Sequence, residues 1–397
     1  MSRFSFLFLA VAGGLSVVVP LSVAAQSVRD SAGIRVATYA SSQSVARWQV
    51  GLPTLRLGGR EGVGAEEFFN VTSVVMLDDG SLVVGDQGSS ELRFFDSATG
   101  AHLRSVGGEG RGPGEINVLW TVFRSGQEIV AVDASGAASL FDSEGSFQRR
   151  TPPPISGRGY RLERAGFFEN GDALAYRYES AANKPEGTHL VSAHITKLRG
   201  DEPSYLMQSP GYFVTREGAS RSRYLTFGPV ITFAVFGERF CVGFPQRYSI
   251  DCLGAEGTPI WRTTRVDWEP TRVTREDREG YFRANAAVNF HLGADELQKV
   301  RSETEFARVF PAFGRFVVGA GGELWVGPVP IEGDTPVLHP SPREPTQWSV
   351  FSSEGEWIAE AELPAHFWLM SVSPTHLIGV QRDELDIEAV VLLPLQR

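Results

Sequence analysis

Leu57-Gly58-Gly59-Arg60-Glu61-Gly62-Val63-Gly64-Ala65-Glu66-Glu67-Phe68 is answered, about one repeat later, by Val106-Gly107-Gly108-Glu109-Gly110-Arg111-Gly112-Pro113-Gly114-Glu115-Ile116. Each copy leads into the same succession of elements. In the first, an apolar run over 71–77 reaches the turn Asp78-Asp79-Gly80. Leu82-Val83-Val84, Leu92-Arg93-Phe94-Phe95-Asp96, a turn closing at Gly100 and Leu103-Arg104-Ser105-Val106 follow. The second copy repeats this through Gly126, Ile129-Val130-Ala131-Val132-Asp133, Ser139-Leu140-Phe141-Asp142 and Gly145. Four short strands per unit, at a period between 40 and 50 residues, is the pattern of a propeller blade.

The turn before each unit's second strand extends the count along the chain. It recurs at Asp79-Gly80, Ser125-Gly126, Asn170-Gly171, Phe236-Gly237, Gly321-Gly322 and Pro374-Thr375, which predicts an all-β fold, a six-bladed β-propeller. The turn after the third strand recurs at Gly100, Gly145, Gly257 and Gly355. Two intervals are longer than the rest. The first excess, 197–225, contains Pro203, Pro210, Gly211 and Gly218 and reads as an irregular loop. The second, about 274–306, reads as a short helical insertion between blades four and five. Thr274 and Asp277 form a capping pair, and Tyr281, Ala284, Val288 and Leu292 fall at helical spacing before Gly293. Such an insertion either caps blade edges or covers the central channel. An unclosed propeller would expose a sheet edge, so an N-terminal strand, from 34–38 or 50–57, is expected to pair with the C-terminal blade.

Residues 1–25 read as a secretory signal peptide: Arg3, an apolar core, and Val23-Ala24-Ala25 before Gln26. Gly13-Gly14 and Pro20 interrupt that core, which suits a cleaved signal better than a membrane anchor. A periplasmic or secreted propeller over 26–397, monomeric and without membrane insertion, is therefore expected. A formal net charge of −10 without any acidic block argues against nucleic acid as a partner. In an oxidising compartment Cys241 and Cys252, placed symmetrically about the turn Pro245-Gln246-Arg247, are expected to face each other as a disulfide.

Gly110-Arg111-Gly112-Pro113-Gly114-Glu115-Ile116 resembles the junction of the NHL-repeat and TolB-like group of six-bladed propellers. Asp79-Gly80-Ser81-Leu82-Val83-Val84-Gly85-Asp86, followed by Leu92-Arg93-Phe94-Phe95-Asp96, is similar to that group's strand-turn-strand core. Gly64-Ala65-Glu66-Glu67 departs from the Gly-Pro-Gly-Glu form. The resemblance implies a fold and a tendency to bind, and names no single activity, since propellers host lactonases, lyases, adaptors and glycan binders alike.

A channel metal would need converging carboxylate or amide oxygens. The expected inner strands offer Asn70, Asn117 and Glu115 near their starts and few other acids. Asp86 and Asp133 recur after second strands and read as turn-forming residues. His102, His189, His194, His291, His339, His366 and His376 lack metal-ligand spacing, and no Gly-x-Ser-x-Gly element occurs. No catalytic residue, metal or cofactor is expected. Trp120, Arg164, Arg315 and Trp368, on inner strands, are the candidates for lining a channel mouth, where Arg with Trp would suit a carboxylate-bearing peptide or a sugar. The expected function is a binding scaffold for a protein, peptide or glycan, more an adaptor than an enzyme. The alternative is a metal-dependent hydrolase, lactonase or lyase with its site in the central channel. Deleting residues 26–56 is expected to abolish cooperative thermal unfolding; a full transition in calorimetry would rule the closure out.

Overall fold

Leu82, Val83 and Val84 are all fully buried, although successive side chains of a strand point to opposite faces. Both faces are covered. Leu82 and Val84 pack with Ile378, Val380 and Val390, whereas Val83 packs with Leu119, Val122 and Ile129. Ile129 and Ala131 share that second cluster, and Val130 turns to the next one, with Val132 and Leu140. A sheet sandwiched between two others loses the polar half of its alternation.

The computed structural model describes residues 26–31, 33–40, 44–155, 159–200, 202–217, 221–288, 293–329 and 342–397. The expected signal peptide (1–25), His291, Leu292 and His339 lie outside the described residues. Val71–Met76, Ser81–Asp86, Glu91–Asp96 and His102–Gly107 form one four-stranded sheet, and Leu119–Ser125, Glu128–Asp133, Ala138–Phe141 and Phe147–Thr151 form the next. The third holds Glu163–Phe167, Ala173–Tyr178, Gly187–Arg199, Glu202–Glu217 and Arg221–Tyr224. In the fourth, Thr232–Phe236, Arg239–Gly243, Ser249–Gly254 and Pro259–Arg265 are extended by Ile34–Tyr39 and Gln26–Ser31. The last sheet joins Arg315–Val318, Leu324–Gly327, Thr346–Phe351 and Trp357–Leu363 to Phe367–Val372, His376–Arg382, Glu388–Gln396 and Leu55–Gly58. Ala46–Val50 links those two groups.

The innermost strands touch in cyclic order. Val71–Met76 contacts Leu119–Ser125, then come Glu163–Phe167, Thr232–Phe236, Arg315–Val318 and Phe367–Val372, which returns to Val71–Met76. The chain is a β-propeller.

The turns sit where the sequence places them. Gly80, Gly126, Gly171, Gly237 and Gly322 take left-handed φ between 53° and 89°, and Gly100, Gly145, Gly257 and Gly355 take 77° to 82°. Glycine does so without the Cβ clash other residues suffer. The sixth turn lacks glycine, and there the Ser373 hydroxyl accepts from the Thr375 and His376 amides instead. The repeated junctions agree in backbone as well, with φ of 79° and 82° at Gly58 and Gly59 and 100° and 102° at Gly107 and Gly108. They differ where the sequences do: Gly64–Glu66 forms a single 3-10 turn.

The expected loop at 197–225 is not one. It is the far half of a long hairpin, Gly187–Arg199 against Glu202–Glu217, with Arg221–Tyr224 added outside. Its breakers occupy permitted places. Leu198 pairs with Pro203 beside the hairpin turn, and Ser192 pairs with Pro210 while Val191 pairs with Tyr212, which leaves Gly211 as the extra residue of a bulge. Two such bulges shift the alternation and erase its period. The inner strand of the fourth sheet also starts later than expected, at Thr232, because Val230 bridges Tyr212 of the hairpin.

Helices occupy Arg275–Val288 and Ala294–Glu303. Thr274 and Asp277 cap the first reciprocally: the Asp277 amide donates to Thr274 Oγ1 at 3.2 Å and the Thr274 amide to Asp277 Oδ2 at 2.6 Å. The helices rest on the third sheet's outer edge, where Arg223 donates to Glu303 and Phe227 meets the rings of Tyr281, Phe306 and Phe310. No described helix is long and apolar enough to cross a membrane.

Cys241 and Cys252 pair directly across their hairpin and form a disulfide. One N-terminal strand closes the ring, and the segment expected as its alternative, 34–38, lies on the fourth sheet instead. Leu55–Gly58 completes the C-terminal group by pairing with Glu388–Gln396, while Ile34–Tyr39 adds in parallel to Pro259–Arg265. The buried Glu388 carboxylate accepts from the Val71 amide at 2.8 Å and from Arg382 Nη2 at 2.6 Å, which ties the last unit to the first inner strand. Glu388→Ala leaves a buried amide and a guanidinium without their partner and is expected to lower unfolding free energy by about 3 to 5 kcal/mol; urea denaturation measures it, and Glu388→Gln should lose less.

Candidate functional site

Three inner strands begin after a non-glycine residue in the left-handed region: Asn70, Val118 and His366, at φ 60°, 58° and 59°. Each holds the end of the neighbouring second strand. Their carbonyls accept from the amides of Gln87, Ala134 and Arg382 at 3.2, 2.9 and 3.1 Å. For Asn this conformation is common; for a β-branched valine it is strained.

A bulge follows close behind in these strands. Leu119 pairs with Asp133 and Thr121 with Val132, so Trp120 is the extra residue. Thr72, Ala165 and Met370 occupy the same role in their own inner strands. Bulges re-aim side chains, and Trp120 is 49% exposed despite its place in an inner strand.

Trp120 opens onto a cleft of about 510 Å³ whose lining includes Phe123, Arg161, Glu163, Arg164 and Tyr176. Arg164 donates to the Gly136 carbonyl and, at 3.3 Å each, to Thr151 Oγ1 and the Pro152 carbonyl. Arg161 Nη2 donates to the Ala134 carbonyl at 3.2 Å. The Tyr176 hydroxyl donates to Glu163 Oε2 at 2.9 Å, and its ring lies 4.9 Å from that of Phe233. Burial, foremost, and the nearby Tyr178 and Glu163 push the Tyr176 phenol far above its ordinary range, so it stays protonated and serves as a donor. Asp133 also lines the cleft but is spent on the Ser135 and Ala137 amides and on Arg150.

The other expected pair meets across two inner strands. The Arg315 guanidinium lies 4.3 Å from the centre of the Trp368 ring, and its Nη2 is 3.8 Å from Met370 Sδ, a weak acceptor. Its Nη1 is shielded from solvent and has no hydrogen-bond partner. Burial pushes this guanidinium down to about 9, and no carboxylate opposes the shift. The structure thus sorts the four candidates into two pairs, Trp120 with Arg164 and Arg315 with Trp368, all at the leading ends of inner strands. Arg161, Glu163 and Tyr176 were missed as site residues. The charged residues Arg161 and Glu163 flanking Leu162, at the start of a strand, were the available signal.

The acids expected to serve turns do so. Asp86 accepts from the Phe69 amide at 2.7 Å, from Ser89 and from Arg93. Asn70 donates to Gln87 Oε1, and exposed Glu115 accepts from the Gly112 amide at 2.7 Å. Among the described residues no group of three His, Cys, Asp or Glu side chains converges to hold a metal ion.

No protein-family model and no curated protein matches the chain. Solved structures do. A DUF4221-family member from Bacteroides vulgatus is 10% identical, with 89% of this chain and 100% of that chain covered, at a TM-score of 0.53. The Swd1 β-propeller domain of Myceliophteria thermophila is 11% identical over 87% of this chain and 100% of its own, at 0.41. The calcium-binding protein regucalcin of Agrobacterium tumefaciens is 9% identical over 89% and 97%, at 0.36. At such identities the likeness concerns the fold alone.

Val118 is 40% exposed, so its strain is opposed by little burial. Val118→Gly is expected to raise stability by about 1 kcal/mol, read as a shift of the urea midpoint at unchanged slope.

Proposed function

We propose that this chain is an exported six-bladed propeller over 26–397 that binds a protein, peptide or glycan at the rim of its channel and performs no catalysis. The blade count treats the two four-stranded groups of the largest sheet as separate blades, since each contributes its own inner strand to the ring. The segment 274–306 is then a helical insertion between blades four and five, after a signal peptide at 1–25. The molecule works as a monomer in the periplasm or outside the cell.

One observation carries the reading. A bulge turns Trp120, an inner-strand tryptophan, outward over a cleft whose remaining polar groups are donors or already bonded acids. Aromatic faces beside arginine donors recognise sugars, peptide planes and carboxylates, and nothing in the cleft pairs a nucleophile with a base.

Glycan and peptide arrays probed with the full chain test it. Binding of a defined class, weakened about tenfold or more by Trp120→Ala or Arg161→Ala, is the expected result. Stoichiometric calcium or zinc, together with lactone or ester turnover that Asn70 or Asn117 substitution removes, would replace this reading with a hydrolase.

A further inference from the structure

Several buried charges of this propeller are paired. Asp86 meets Arg93 at 3.0 Å, Lys197 meets Asp172 at 3.1 Å, Arg382 meets Glu388 at 2.6 Å, and Asp133 meets Arg150. Arg315, half-buried with its Nη1 shielded from solvent, has no such partner. Among the described residues it makes no ion pair; a thioether sulfur, an indole face and an unsatisfied, solvent-shielded Nη1 are what surround it. A guanidinium with one nitrogen held away from water and no counter-charge beside it invites an anion.

The geometry narrows which anion. The Trp368 ring covers the guanidinium's face and Nη2 lies against Met370 Sδ, so Nη1 on the edge is the donor left without a partner. An edge of parallel N–H donors matches the two oxygens of a carboxylate, while a halide uses one donor at a time. A single cation neutralises a single negative charge, which favours a monoanion over sulfate or phosphate. Arg315 is the first residue of its inner strand and Trp368 the second of the next. Both therefore lie at the strand ends that carry Trp120 and Arg164, and a ligand held at that rim can extend one group to Arg315.

We propose that Arg315, stacked on Trp368, is a receptor for one carboxylate of the ligand, inserted end-on into the channel. This rests on the reading of the rim as a binding surface, and it names the chemical class that surface takes. The carboxylate can belong to a peptide terminus or to an acidic sugar.

Thermal shifts of the full chain at constant ionic strength test it, with acetate, N-acetylalanine and glucuronate set against acetamide, N-acetylalaninamide and glucose. Saturable stabilisation by the acids and none by their neutral counterparts is expected, and the stronger of N-acetylalanine and glucuronate identifies the source. Arg315→Met should abolish the effect while melting higher than the parent without ligand, because an unpaired buried charge is gone. Arg315→Lys keeps the charge without the paired donors and should bind acetate about tenfold more weakly; it decides the matter if the methionine variant does not fold. The proposal falls if acetate gives no saturable shift, if the shift survives in Arg315→Met, or if chloride or sulfate matches it. Trp120→Ala should leave the acetate shift intact, so loss of array binding and loss of acetate binding can occur separately.

Discussion

Ring closure is the constraint on which the rest of this structure depends. A row of radially packed sheets is stable when its last member finds the first, because otherwise two strand edges and two apolar faces meet water. Here a strand from the N-terminal segment, Leu55–Gly58, completes the C-terminal unit. The buried Glu388 carboxylate then reaches across to the Val71 amide. Leu57, Val71, Val84, Val380 and Val390 fill the seam as one apolar cluster. The ends of the chain are thereby locked to each other, and every other interface inherits a fixed number of neighbours.

With both faces of most blades covered, side chains that alternate along a strand alternate between two cores, as Leu82, Val83 and Val84 do. Close approach then becomes a matter of single atoms. A Cβ on Gly85 would lie 2.8 Å from Val122 of the next sheet, so the smallest residue sits where the neighbouring inner strand presses in. Polar groups survive in such interfaces when bonded, which explains why Asp86, Asp133, Asp172 and Glu388 each carry a basic partner.

Against that background the channel rim follows different rules. Left-handed residues at Asn70, Val118 and His366 and bulges at Thr72, Trp120, Ala165 and Met370 lie at or near the leading ends of the inner strands. At Trp120 the bulge turns a large side chain out of the ladder. Val118 shows the cost most plainly, since nothing in its chemistry favours positive φ.

Strand by strand, much of this was legible in the amino-acid order. Turn glycines such as Gly80, Gly171 and Gly355 are local necessities, because a tight turn needs positive φ wherever it occurs. The Cys241 and Cys252 register follows from hairpin symmetry in the same way. The hairpin at 187–217 was illegible, since its bulges break the alternation that marks a strand and its prolines are tolerated at a bulge and beside a turn. Tyr176 and the pairing of Arg315 with Trp368 were equally beyond reach. Arg315 and Trp368, more than fifty positions apart, meet through the angle between sheets, and that angle is a property of the closed ring rather than of any segment. Local sequence determined which residues turn and which extend; tertiary packing alone decided which side chains of neighbouring inner strands meet, because that depends on how the whole circle shuts.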